Sequence, residues 1–335
     1  MALRKFPELT YASPNDPRLK RWLIHTIEGL SGRSKFLPLY KYWKKNIVGH
    51  RDRVMGELLA LIDCDLKIDS AEPWPIAVPA EVPLVIVANH PFGIGDGIAI
   101  LALAEQLGRP FKVLINNQLL RVPEIRPYSL PIDFEETKEA MATNLATRKE
   151  ALRLLATGTT VVVFPAGGVA TARSPFGKAV DLPWKLFTAK LIQSARASVL
   201  PVYFEGQNGP LFHIASRLSL TLRLSLLVSE FRRFAGSSVT VRIGRLIPFA
   251  ELGHNGDRKL MTEELHRLVH GLAKDAPPPG ARARLKRVGG KAKRHVKGVG
   301  RLAKMKARRV GSMARTRIRA RRRSDGGDGH TSVSV

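Results

Sequence analysis

The sequence predicts an α/β domain built on a largely parallel sheet. Two observations carry that expectation. Short, mostly β-branched apolar runs stand at 84–88, 112–115, 160–164, 199–204 and 239–243, and they read as strands covered on both faces. Between them lie helix-length segments at 98–107, 135–156 and 182–194, and such alternation is the pattern of helices layered on a parallel sheet.

Taken in chain order, residues 1–63 read as an N-terminal helical region. Asp16 and Pro17 fit an N-cap and a first helical position. Leu19, Trp22, Leu23, Thr26, Ile27 and Leu30 follow at helical spacing, opposite Lys20, Arg21 and Glu28. After Ser31-Gly32 a second amphipathic stretch carries Phe36, Leu37, Tyr40, Trp43 and Ile47, with Lys41, Lys44 and Lys45. That composition fits a helix lying in a membrane interface, and equally one packed on the domain that follows. Residues 64–274 form the α/β domain, closing on a helix with Leu260, Leu265, Leu268 and Val269. Pro277-Pro278-Pro279-Gly280 ends the fold. Residues 275–335 have too few large apolar side chains to build a core, so a disordered basic tail is expected.

The formal net charge is +27 over 335 residues. Residues 281–335 hold 19 Lys/Arg against 2 Asp/Glu, and the rest of the chain holds 36 against 26. The excess is therefore concentrated in the tail and favours anionic partners. An anionic membrane surface is the expected one, reached through the tail and the N-terminal helices. Nucleic acid is not, because no aromatic residue lies between 281 and 335 to stack on bases. No stretch reaches the roughly 20 apolar residues of a membrane span, and the N-terminus lacks a signal-peptide core. The expected location is cytoplasmic, peripheral on the inner face of the membrane. The single cysteine, Cys64, rules out an internal disulfide and reads as a small buried side chain.

The chemistry concentrates where the first domain strand ends. Residues 85–90, VIVANH, run straight into PFGIGDG, which places His90 just beyond a strand's carboxyl end. Gly93, Gly95 and Gly97 let the backbone turn so that Asp96, near the start of a helix, can reach the imidazole. A carboxylate on one ring nitrogen fixes the tautomer and frees the other to accept a proton. The same pattern also fits a structural histidine at a turn. No G-x-S-x-G elbow, P-loop, H-E-x-x-H or dinucleotide-binding G-x-G-x-x-G stands in its usual context, and the histidines show no metal-ligand spacing.

Four blocks carry a family resemblance. ANHPFGIGDG at 88–97 resembles the first motif of the PlsC-like lysophospholipid (glycerolipid) acyltransferases, a His and an Asp across a short turn. LINNQLLRVPEIRPYSLPIDF at 114–134 stands where their second block does. VVVFPAGGVAT at 161–171 is similar to their FPEGTR-type motif, and VLPVYFEGQNGPLF at 199–212 to their fourth block. The hemolysin-like or ornithine-lipid-type branch is nearest. Five residues separate His90 from Asp96, one more than in the general superfamily and the same as in that branch. Ala166 and Gly168 stand where acidic residues are usual.

The resemblance implies a glycerolipid acyltransferase-like fold and an O-acyltransferase of membrane-lipid biosynthesis. The acyl group would pass from acyl-CoA or acyl carrier protein to the hydroxyl of a lysophosphatidic acid-like or lyso-ornithine lipid. His90 would act as general base, oriented by Asp96, with no covalent intermediate, no metal and no prosthetic group. Gly167 and Gly168, after Phe164 and Pro165, would offer backbone N–H groups to the developing oxyanion. Arg121, Arg126 and Arg173 would neutralise phosphate, and Asn116 and Asn117 would position the acceptor. Trp74, Phe92, Trp184 and Phe212 are the aromatic candidates for an acyl groove. A non-catalytic membrane- or nucleic-acid-binding protein on the same scaffold is the alternative.

Overall fold

A computed structural model of the protein describes Arg18, Arg21, Ile24, Gly29 and residues 33–274 apart from Phe134, Glu136, His254 and Asn255. The expectations for the 275–335 tail, for the Asp16-Pro17 start and for most of the first amphipathic stretch lie outside the described residues.

From residue 33 the described chain leads in through α1 (Arg33–Asn46) and α2 (Val54–Leu61). The domain then runs β1 (Asp65–Ser70), β2 (Leu84–Ala88), α3 (Ile94–Gln106), β3 (Phe111–Asn116), β4 (Ser129–Ile132), α4 (Lys138–Ala156) and β5 (Thr160–Val163). It continues with α5 (Phe187–Ala195), β6 (Ser198–Phe204), α6 (Pro210–Leu218), α7 (Leu220–Phe234), β7 (Ser238–Ile243) and α8 (Arg258–His270). The seven strands form one sheet in the order β1-β7-β6-β2-β5-β3-β4. Neighbours are parallel except β6 and β7, which pair antiparallel.

Every residue of β2 is buried. Its alternation divides the core: Leu84, Ile86 and Ala88 join a cluster with α1, α2 and α3, while Val85 and Val87 join one with α4, α5 and α8. The sheet is thus the middle of three layers, with β2 at its centre. A strand clothed on both faces must be apolar throughout, which is why LVIVA shows no polar alternation.

The second amphipathic stretch, α1, packs on the domain. Tyr40, Trp43 and Ile47 are buried in the first cluster, and Trp43 Nε1 donates to the Val54 carbonyl at 2.9 Å. Tyr40 donates its hydroxyl proton to Glu124 Oε2 at 2.6 Å, and Lys44 pairs with Glu124 Oε1 at 2.5 Å. Burial alone would raise the Glu124 carboxyl, but these two donors hold it below the usual carboxylate range. Glu124 of the second block is therefore an anchor for α1. Tyr40 and Trp43 thus face the domain core, whereas Tyr42 on the same helix is exposed.

Candidate active site

His90 follows β2 directly, at the centre of the sheet and at the carboxyl end of its parallel strands. Buried Asn89 fixes the strand end by exchanging two hydrogen bonds with Phe204 across β6. Its Nδ2 donates to the Phe204 carbonyl at 3.0 Å and its Oδ1 accepts from the Phe204 N–H at 2.7 Å. Gly93 then turns the chain with φ 84°, and α3 begins at Ile94, one turn earlier than the 98–107 expected. Asp96 consequently lies inside the first helical turn, with its side chain wholly buried.

Asp96 Oδ1 faces His90 Nδ1 at 3.1 Å. The two atoms are at contact distance without hydrogen-bond alignment, and neither has another partner among the described residues. Asp96 Oδ2 accepts the Phe92 N–H at 2.9 Å, which holds the carboxylate in the turn. The imidazole stacks on Phe164 with ring centroids 4.2 Å apart. His90 and Phe164 thus meet because β2 and β5 are adjacent parallel strands that end side by side.

Gly93, Gly95 and Gly97 do not share one role. Gly93 supplies the positive φ, and a Cβ there would also lie 2.9 Å from Leu227. At Gly95 a Cβ would fall 2.4 Å from the Phe234 ring, so that glycine permits close helix packing. Gly97 has nothing within 4 Å and is required by neither.

The FPAGG block lies one strand from His90. Gly167 donates its N–H to the Phe164 carbonyl at 3.0 Å, which corrects the expectation that both glycines present N–H groups. The tight turn after Pro165 consumes that donor and leaves Gly168 as the remaining one of the pair. Ala166 is buried.

The 170–181 segment starts and ends on His90. Ala170 donates to the His90 carbonyl at 2.7 Å, and the His90 N–H donates to Asp181 Oδ1 at 3.3 Å. Asp181 has a side chain 1% exposed, and His270 Nε2 lies 3.3 Å from its Oδ2. Trp184 Nε1 donates to the same oxygen at 3.0 Å. Burial would raise this carboxyl, but His270, then Trp184 and the His90 N–H, keep it below the ordinary range. Asp181 also lines an open pocket of about 590 Å³ with Thr171, Arg173, Lys178, Trp184 and His266.

The other expected ligands scatter. Asn116 ends β3, two strands from β2, so it stands on the correct edge of the sheet but about 10 Å to the side. The Asn117 amide donates to Asp133 Oδ2 at 2.7 Å. Arg126 is exposed and donates Nε–H to the Leu120 carbonyl at 2.7 Å, and Arg121 is exposed in the 3-10 turn Asn117–Arg121. Arg173 lines the pocket. Among the aromatic candidates Phe212 is fully buried in a satellite cluster with Val169 and Leu227. Phe92 packs edge-on against Phe234, and Trp74 Nε1 donates to Gln106.

Two residues at the site escape sequence reading. Asp181 is one. The other is Arg223 of α7, whose Nη2 donates to the Val169 carbonyl at 2.6 Å beside Gly168 and whose guanidinium sits over the Phe212 ring. Burial lowers its pKa. Both arrive by tertiary folding, from positions 91 residues beyond His90 and 54 residues beyond Val169.

A family model described as "Acyltransferase" matches residues 72–270. The chain is similar to a lyso-glycine lipid O-acyltransferase of Phocaeicola vulgatus, 26% identical over 207 residues that cover 57% of this chain and 67% of that one. A lyso-glycine lipid O-acyltransferase of Bacteroides thetaiotaomicron is 26% identical over 253 residues, covering 65% and 86%. Among solved structures, the 1-acyl-sn-glycerophosphate acyltransferase PlsC of Thermotoga maritima superposes with a TM-score of 0.40 at 19% identity, over 76% of this chain and 95% of that one.

Proposed function

As the chain belongs to the acyltransferase family, we propose that it moves a fatty acyl group from a thioester to the hydroxyl of a lysolipid, with His90 as general base. One observation carries the assignment: Asp96 Oδ1 stands 3.1 Å from His90 Nδ1 beyond the central strand. With Nδ1 facing a carboxylate, Nε2 is left to take the hydroxyl proton as the hydroxyl oxygen attacks the thioester carbonyl. The C–S bond then breaks, and the proton passes from His90 to the departing thiolate. The products are an ester and a free thiol, and no step needs a protein nucleophile.

Asp96 orients the ring and stabilises the imidazolium, and burial strengthens that interaction. Gly168, in the turn after the strand beside His90, is the backbone N–H offered to the developing oxyanion. Arg223, charged at any working pH, would pair with an anionic headgroup beside the FPAGG turn. The likeness to two lyso-glycine lipid O-acyltransferases supports a lysolipid acceptor, of the lyso-glycine kind or of the lysophosphatidic or lyso-ornithine kinds expected from sequence.

The test is thiol release from acyl-CoA and from acyl carrier protein, with each of those three lysolipids as acceptor. Release that requires acceptor, with the acylated lipid seen by mass spectrometry, and that disappears in His90→Ala is the expected outcome. Folded protein that releases no thiol with any pairing would overturn the proposal in favour of a non-catalytic role.

A further inference from the structure

The segment tied at both ends to the His90 backbone is a preformed protrusion. Thr171 and Val180 pair antiparallel at its base, and Gly177 closes a turn on the Ser174 carbonyl at its tip. Phe176 occupies that turn and is 89% exposed. The protrusion lies along α6, held by Ala172 N–H to His213 Nδ1 at 3.3 Å, Arg217 to the Arg173 carbonyl at 2.9 Å, and Gln207 to Ala179 and Gly177.

α6 turns a second apolar surface outward. Phe212, His213 and Ala215 are buried, whereas Leu211 and Leu218 are 69% and 72% exposed and Ile214 is also exposed. At 100° per residue the exposed three fall within about 60° of one another, away from Phe212 and His213 and with Ala215 at the border. A soluble monomer rarely leaves several large apolar side chains bare on one helix and on the loop beside it.

The charge around this surface has one sign. Arg173, Lys178, Lys185 and Arg217 are exposed, and the only acidic residue within 171–186 and 207–219 is Asp181, whose carboxylate is buried. Apolar side chains at the tip with cations behind them match a bilayer, whose acyl region lies beneath anionic headgroups. We infer that α6 and the Phe176 protrusion form a docking face that inserts into an anionic lipid surface and presents the His90 site to acceptor lying in that surface. The inference rests on the lysolipid acyltransferase reading for its purpose, while the docking itself is measurable without turnover.

The full-length chain carrying Phe176→Ser, Leu211→Ser and Leu218→Ser keeps every charge, so the tail's attraction is unchanged. Partition onto phosphatidylglycerol–phosphatidylcholine vesicles is measured at about 0.5 M salt, where screening within a few ångströms weakens the tail's contribution. The variant is expected to partition at least about tenfold more weakly than the wild type, given the apolar area removed. It is also expected to lose rate on vesicle-embedded acceptor and keep its rate on a monomeric short-chain acceptor. If the triple variant misfolds, Phe176→Ser alone, at a loop tip, carries the test. Equal partition of variant and wild type would overturn the inference. So would a wild-type dimer that the substitutions dissociate without changing partition, since the face would then join two copies of the chain. A wild type that transfers no acyl group refutes the functional reading, and the partition result still decides the docking.

Discussion

Asp96 divides its two oxygens between a backbone N–H and an imidazole, and this division gives a seven-residue stretch its chemical meaning. His213 is held by the segment that returns to His90. Its Nδ1 accepts the Ala172 N–H, and burial holds the imidazole below its ordinary range against the opposing pulls of the Asn208 carbonyl and Glu230. An unfolded chain takes up this proton near about pH 6.5, whereas the folded one resists it until lower pH. The unfolded state therefore binds more protons in that window, and stability falls as pH drops below about 6.5. Urea unfolding midpoints between about pH 7.5 and about pH 5.5 should decline more steeply for the wild type than for His213→Asn, whose Oδ1 can accept the same N–H. Equal slopes would show that His213 does not set the pH response. At this scale the sequence yields His90 and Asp96, because strand, turn and helix start are contiguous and their spacing encodes their meeting. Asp181 and Arg223 are illegible there. Nothing local in DLPW or LTLRLS points at a site that only the fold brings near.

Elements position these residues through their packing, and α3 does so most directly. Gly95 lets its first turn press on Phe234, and that turn carries Asp96. Gly95→Ala should destabilise the protein by about 1–3 kcal/mol through overpacking, and displace Asp96 with a corresponding loss of rate. Gly97→Ala, on the same helix with open space around it, should be neutral or stabilising by up to about 1 kcal/mol. Thermal unfolding of the pair separates a packing requirement from a general intolerance of side chains in this turn. Among elements, β2, β5 and β6 are legible as almost wholly buried apolar runs, and β3 and β7 remain legible although Lys112 and Arg242 interrupt them. β1 and β4 are not. Both are edge strands: β1 is DLKIDS, polar at alternate positions, and β4 is SLPI, with a proline that an edge tolerates. α6 and α7 also pass unread, since the leucines α6 leaves exposed blur the amphipathic period by which a surface helix is recognised.

At the scale of the whole molecule, the sheet order explains which sequence blocks meet. β2 lies between β5 and β6, so the first, third and fourth blocks converge on His90, Phe164 and Phe204 at one edge. The second block lies one strand farther out, with its Asn117 turned to Asp133 and its Glu124 pinned to α1. Resemblance in the right order along the chain therefore translated into proximity for three blocks out of four. Among the described residues no helix is long and apolar enough to cross a membrane.

In the proposed mechanism a buried carboxylate makes His90 a base for acyl transfer. The most direct measurement is the steady-state rate of lysolipid acylation by Asp96→Asn beside wild type and His90→Ala, each checked for folding. The amide should accept the Phe92 N–H in place of Oδ2 yet fail to hold the productive imidazole tautomer, lowering kcat by about 10²–10⁴-fold with little change in KM. A rate for Asp96→Asn within about threefold of the wild type would contradict it, because a base in the wrong tautomer should not turn over at that speed.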